Sequence, residues 1–407
     1  MLATGRNALR RALKNARKDY RAAFGHSPEL LIGILKMGGH GDFMQQLVFA
    51  KAVRKRWGPR KALIVLFTRL LAPTLAFVGG RPFADHVSAT LFESAAGAMG
   101  LGPVVHMPLP AHSWRGLVPD LVAMTDCLWD VQYVAASYWR DLGRHLEEQV
   151  EFDARLKFYS RFYSGFPHLS NPELHSLRMT QWELLADSTG LDVREDDLVL
   201  EAPSLGGALD ELGDYATIHN GAGGGAVLKR MPPAHMDAVA RAIARRGLRV
   251  VQLGKKDDAK EPPVVGALDM RGLPMKVSMG ILARARLHVD VEGGLVYVAK
   301  GLGVPRAVFV GPTSPFVFGF SDSYNLYRTA DGCCSVLTPE PYPEPRCRPC
   351  WWSRPAWDKR CPKGLPFCGN FPPSPEEAAE WMERVLDDLE RRSVGEGTRQ
   401  RDGSCRA

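Results

Sequence analysis

Four of the eight cysteines fall in "CRPCWWSRPAWDKRCPKGLPFC", residues 347–368. Cys347, Cys350, Cys361 and Cys368 follow the spacing C-x2-C-x10-C-x6-C. Thiolates in this arrangement suit a tetrahedral all-sulfur site, which takes zinc or iron. Such a site has no open coordination position, so its expected work is structural: it orders a proline-rich loop. Disulfides are the alternative and need an oxidising compartment. The surrounding Arg346, Arg348, Arg354, Lys359, Arg360 and Lys363, with Trp351, Trp352 and Trp357, are also what a nucleic-acid binder can show. No recognition-helix pattern lies between the cysteines, and no nucleic-acid partner is expected.

Three other segments carry residues fit for chemistry. "KMGGHGD" (36–42) places Gly41 and Asp42 where a strand gives way to a helix. Asp42 there either caps the helix or serves as a general base, with His40 as a rival base. "HNGAGGGAVLKRMPP" (219–233) offers Gly221, Gly223, Gly224 and Gly225 and then Lys229. Backbone amides and one mobile ammonium suit a diphosphate, although a solvated lysine after a loop is equally ordinary. The Walker spacing is absent. In "VDVEGGLVYVAKGLGVPRAVFVGPTSP" (289–315), Glu292 could hold ribose hydroxyls while the Gly293 and Gly294 amides face phosphate. A capped helix start with no ligand is the plainer account of the same residues. Thr313 stands in "GPTSP" at the end of the next strand.

These segments need elements to hold them. "LLIGILK" and "KALIVLF" read as buried strands, with helical "FMQQLVFAKAVRKRW" between them. "ALIVLFTRLLAPTLAFVGG" carries Arg69 and Pro73 and reads as strand, turn and helix rather than a membrane span. Residues 130–192 read as mostly helical. After "EAPSLGGALDELGD" (201–214), a linker in this reading, the rhythm restarts. "YATIH", "LRVVQLG", "LHVDV" and "PRAVFVG" are strands, alternating with the helices "PAHMDAVARAIARRG", "MKVSMGILARAR" and "GGLVYVAKGLG". This alternation predicts two α/β, doubly wound, Rossmann-like domains, and tandem domains of this kind hold ligands at the carboxyl ends of their strands. "SPEEAAEWMERVLDDLERR" is a helix with Ser374 as N-cap.

The predicted organisation is a basic N-terminal helix (1–28), a first Rossmann-like, acceptor-side domain (29–205) and a second, donor-binding one (206–340). A four-cysteine metal finger (341–372), a C-terminal helix (373–392) and a disordered tail (393–407) follow. Cys127 reads as core. The chain of 407 residues, 45% hydrophobic, has material for two large cores. Its formal net charge of +7 admits an anionic partner: nucleic acid, membrane surface or phosphorylated ligand. The first residues are basic and lack the apolar core of a signal peptide, so a cytoplasmic protein is expected. The basic helix 5–24, with Leu9, Leu13, Tyr20, Ala23 and Phe24 as its sparse apolar side, is either packed by a few contacts or set peripherally on the inner membrane.

Taken in order, "GDFMQQLVFAKAVRKRW", "HNGAGGG…LKRMPPAHMDAVARAIARRGLRVVQLG" and "EGGLVYVAKGLGVPRAVFVGPTSP" resemble the heptosyltransferase family of glycosyltransferases, family 9, over about 31–390. "EGG" with "GPTSPFVFGF", "CxxCWW" and "WDKRC" looks like the branch that glycosylates serines of autotransporter adhesins. The resemblance implies the GT-B fold, an inverting transfer without a catalytic metal, and a nucleotide-sugar donor such as ADP-heptose. It implies Asp42 as the base and Lys229 as the contact to the donor diphosphate. It implies structural iron in the cysteine finger, with zinc as the alternative. The acceptor is then a protein serine or a glycan such as lipopolysaccharide core, and the finger is a candidate contact in a homo-oligomer. Where the family has "DSGxxH" this chain has "EGGLVY", so Glu292 stands for Asp and Tyr297 for His.

Overall fold

Leu30–Leu35 is an unbroken apolar run, which suits a strand covered on both faces. It opens β1 (Leu30–Gly38), whose first seven residues are all buried. The computed structural model describes residues 2–70, 76–78, 81–83, 85–109, 114–132, 134–140, 178–221, 227–255, 262–328, 361 and 364–402. Gly223, Gly224, Gly225, Cys347, Cys350 and the three tryptophans of the cysteine segment lie outside them. The chain divides between Pro203 and Ser204, and the first unit also takes in Lys300–Gly303 and Phe316–Phe318.

In the first unit, β2 (Ala62–Leu70) and the short antiparallel pair β3 (Ala76–Val78) and β4 (Arg81–Phe83) precede β5 (Val104–Pro108), β6 (Cys127–Val131) and β7 (Ala135–Trp139). The main sheet runs β5-β2-β1-β6-β7. Its first four strands are parallel, with Ile32 opposite Ile64 and Cys127, and β7 is antiparallel. Two expectations are corrected here. Residues 76–78 form a strand and not a helix, because pairing of Ala76 with Phe83 satisfies backbone groups in a segment too broken by Gly and Pro to hold a helix. Ala135–Trp139 is a strand as well. The Gln132 N–H bonds the Val134 carbonyl at 3.1 Å, which turns the chain back and pairs Trp139 with Cys127.

The helices of this unit are α1 (Leu2–Phe24), α2 (His40–Lys61), α3 (His86–Ala98), α4 (Trp114–Met124) and α5 (Gln181–Thr189). On α1, Leu13, Ala16 and Tyr20 share one face and are buried against Leu35, Val65 and Phe67 of the sheet. The basic helix therefore spends its apolar side on packing, and the Tyr20 hydroxyl donates to the Pro59 carbonyl at 3.0 Å. No described helix is long and apolar enough to cross a membrane. Gln46 fixes α2 on the sheet: its amide donates to the Ile34 carbonyl at 2.6 Å and the Phe67 carbonyl at 3.1 Å, and accepts from Thr68 at 2.7 Å. Cys127 is fully buried, and burial raises its thiol well above the usual range.

The second unit holds β8 (Tyr215–Ile218), β9 (Arg249–Gln252), β10 (Leu268–Asp269), β11 (Leu287–Val291), β12 (Arg306–Phe309) and β13 (Tyr324–Leu326). They form one parallel sheet ordered β10-β9-β8-β11-β12-β13. Its helices are α6 (Pro233–Arg245), α7 (Met275–Ala283), α8 (Gly294–Gly301) up to Ala299, α9 (Pro315–Phe318), which falls to the first unit from Phe316 onward, and α10 (Pro375–Asp402). Met236, Val239 and Ile243 of α6 share a core with Val250, Val289 and Phe309 of the sheet and with Met382, Val385 and Leu386 of α10. The Ser374 hydroxyl accepts from the Glu377 N–H at 3.2 Å, the N-cap its position announces. The helix continues to Asp402 rather than stopping at residue 392, since no proline interrupts its backbone ladder there.

Candidate functional site

The first cluster sits at the carboxyl end of β1. Asp42 is the third residue of α2, and its Oδ2 accepts from the Gly39 N–H at 2.8 Å, so it does cap the helix. Its Oδ1 lies 3.3 Å from Lys36 Nζ. The carboxylate rests directly over Gly38. That residue has φ +142°, and a Cβ there would come within 2.0 Å of Oδ2. Gly41 lies beside Asp42 in the first turn and is half-buried. His40 points elsewhere: its Nε2 lies 2.9 Å from Asp85 Oδ2. Burial pushes Asp85 up, but the His40 hydrogen bond and charge, with the Ser88 donors, outweigh it and hold it below the usual carboxylate range.

The second cluster sits at the carboxyl ends of β8, β11 and β12. Lys229 forms an ion pair with Glu292, whose Oε2 also accepts from the Thr313 hydroxyl at 3.2 Å. Glu292 and Thr313 are both buried. The parallel order β8-β11-β12 makes this possible, since each strand ends on the same edge and delivers one of the three segments there. Gly293 allows close approach: a Cβ on it would be 3.3 Å from the Gly221 carbonyl oxygen. Gly294 begins α8. Asn220 closes the ends of the loop after β8, donating to the Met231 carbonyl at 2.8 Å and accepting from the Met231 N–H at 2.9 Å. Tyr297 is buried with its ring edge-on to Phe320, 5.0 Å between centroids.

Beneath this cluster lies a network that sequence reasoning missed. Asp290 is fully buried, with Oδ1 2.8 Å from His219 Nδ1 and Oδ2 3.2 Å from His288 Nε2. His288 Nδ1 is 3.0 Å from the Thr217 hydroxyl. Burial alone would raise the Asp290 carboxyl. The two imidazoles, His219 foremost, overcome that and hold it below the ordinary carboxylate value. The signal was present in "LHVDV", where two polar residues interrupt an otherwise apolar buried strand.

Of the predicted site residues, the structure brings Lys229, Glu292 and Thr313 into contact and places Gly221, Gly293 and Gly294 beside them. It places Gly41 and Asp42 in the first unit. Of the predicted metal ligands, Cys361 and Cys368 are described and both are buried, Cys368 within the core of the second unit. No group of three or more metal-ligating residues occurs among the described residues, which exclude Cys347 and Cys350.

The class defined by these observations is an α/β protein of two units, each with a largely parallel sheet and polar residues gathered at the carboxyl ends of its strands. No protein-family model matches the sequence, and no curated protein matches it. Solved structures do. The bacterial iron-containing dodecameric glycosyltransferase TibC from enterotoxigenic E. coli H10407 is 15% identical with a TM-score of 0.50, over 89% of this chain and 77% of that one. TibC in complex with ADP-D-beta-D-heptose is 14% identical with a TM-score of 0.50, over 89% and 76%. E. coli ADP-heptose lps heptosyltransferase II is 15% identical over 74% and 92%, with a TM-score of 0.43. The likeness to TibC is one of fold, in accord with the α/β reading of the sequence.

Proposed function

We propose that this chain is an inverting glycosyltransferase that moves a heptose, or a similar sugar, from a nucleotide-diphosphate donor such as ADP-heptose to a hydroxyl group. The observation that carries the reading is the contact of Lys229, Glu292 and Thr313 at the carboxyl edge of a parallel sheet. Such edges are where α/β sheets hold nucleotides. The fold shared with TibC, together with the sequence resemblance to heptosyltransferases, supports a reading of sugar transfer among nucleotide-dependent reactions.

In this reading the second unit binds the donor. Lys229 leaves Glu292 for the diphosphate, and Glu292, released, accepts from ribose hydroxyls. The Gly293 and Gly294 amides at the start of α8 and the Thr313 hydroxyl add donors to the leaving phosphate as its charge grows. The first unit supplies Asp42 as the base. The acceptor O–H bond breaks, the proton passes to an Asp42 carboxylate oxygen, and the oxygen's electron pair forms the new bond to the anomeric carbon. The diphosphate departs with the pair of the old bond. Inversion follows from a single displacement.

Cys347, Cys350, Cys361 and Cys368 would hold one structural metal ion, iron or zinc, whose contribution is to order the segment around it. The acceptor we favour is a serine of an autotransporter-type protein, in a cytoplasmic setting, with the enzyme assembled from several copies of the chain. A surface glycan such as lipopolysaccharide core is the second acceptor class. The test is incubation of the purified chain with ADP-heptose and other sugar nucleotides, followed by mass spectrometry of candidate acceptors. Transfer of a sugar mass to a serine peptide supports the reading. Absence of donor hydrolysis, transfer and ADP binding alike would sink it.

A further inference from the structure

Lys36 is a lysine in the interior of a sheet. It occupies the seventh position of β1 and its side chain is 1% exposed. Removing an ammonium from water is costly unless it is matched by acceptors, and here burial lowers its proton affinity, with Asp42 and then Asp130 offsetting part of that. Its Nζ donates to the Gln132 carbonyl at 3.0 Å and lies 3.3 Å from Asp42 Oδ1. Asp130, on the neighbouring strand β6 and paired in register with Leu35, contributes a second negative charge to the same ammonium. Asp130 is itself buried, and the Gln132 amide reaches its Oδ1 at 3.5 Å. Among the described residues, Asp42 from α2 and Asp130 from β6 are titratable groups that act on Lys36. Tyr138 on β7 faces Asp130, and His40 is engaged by Asp85.

We propose that Lys36 is the positioning residue of Asp42, and that Asp130 is the reserve counter-ion that keeps the Lys36 ammonium balanced when Asp42 takes up a proton. The inference rests on the reading of Asp42 as the base. One ammonium and two carboxylates give the group Lys36, Asp42 and Asp130 a net charge of −1, which becomes zero when the acceptor's proton arrives at Asp42. Without Asp130, protonating Asp42 would strand a buried cation. Without Lys36, both carboxylates would lose their shared cation and Asp42 would lose one of the two contacts that aim it. The Gly39 N–H and the bare Gly38 backbone define where the carboxylate sits, and Lys36 anchors its inner oxygen.

The test uses the full chain labelled with ¹³C at aspartate carboxyls. The Asp130 signal is assigned by its loss in Asp130→Asn. Burial pushes the Asp130 carboxyl up to about 6, with Gln132 and Lys36 pulling the other way. Its midpoint should rise in Lys36→Met and fall in Asp42→Asn, where the ammonium has one carboxylate fewer to share. In donor turnover, Lys36→Met should lower kcat about tenfold or more with donor KM unchanged, and Lys36→Arg should restore part of it. An Asp130 midpoint unmoved by Asp42→Asn overturns the proposal, as does full kcat in a folded Lys36→Met. Asp42→Asn alters a half-exposed residue, so the coupling is measured even if Lys36→Met does not fold. Full turnover in Asp42→Asn would instead overturn the reading of Asp42 as base, and the titration arm separates that result from failure of the coupling.

Discussion

Lys229 and Glu292 stand 63 positions apart and form an ion pair at the carboxyl edge of the second sheet. The pair keeps a buried carboxylate matched by a cation. Lys229→Ala should therefore do two things. ADP affinity should fall about tenfold or more by calorimetry, since a charged hydrogen bond is worth about 1.5–3 kcal/mol. Glu292, left with Thr313, should also cost the second unit about 1–3 kcal/mol of stability. Glu292→Gln in the same background should recover stability but not affinity.

Asp42→Asn keeps the shape and the Gly39 contact but cannot accept a proton. Donor affinity should stay within about twofold while sugar transfer drops about 10²–10⁴-fold. Turnover close to that of the parent chain would remove Asp42 as the base.

Gly38→Ala places a methyl group where the Asp42 carboxylate lies, at a φ of +142° that side chains rarely adopt. The expected outcome is a loss of about 1–3 kcal/mol in denaturant unfolding, together with loss of transfer and retained ADP binding. Unaltered transfer would mean that the carboxylate position is not critical.

Asp290 links pH to stability. Burial would raise its carboxyl in the folded chain, but the His219 charge and hydrogen bond, with His288, outweigh it and hold it below the ordinary carboxylate value. A depressed folded value means that the unfolded chain binds the proton more readily. The stabilisation is therefore complete above the unfolded value and is lost as pH falls through the folded one. Thermal melts should show the second unit losing stability below about pH 4, and Asp290→Asn should flatten that acid limb while lowering stability at neutral pH.

The cysteine segment predicts metal content. Elemental analysis should find about one iron or zinc per chain, as a closed four-thiolate site requires. Cys361→Ser should lower it severalfold. Metal-free protein with full thermal stability would count against a structural site.

Much of the architecture was legible in the residues alone. Alternating apolar runs and amphipathic stretches marked the parallel strands of both sheets, and Ser374 announced its helix. Glycine-rich turns marked the strand ends where ligand-binding groups belong. These are local properties: periodicity, capping and backbone freedom are settled within a few neighbours. What lies beyond that range was decided by tertiary structure. Ala135–Trp139 is a strand because Cys127–Val131 offers it an edge. The ion pair of Lys229 with Glu292, the His219–Asp290–His288 network and the Lys36–Asp42–Asp130 group each join residues on different elements. Their partners are chosen by strand order and register, and no local pattern encodes which buried charge will meet which. The residue types showed that chemistry was available; the parallel sheets determined which groups share it.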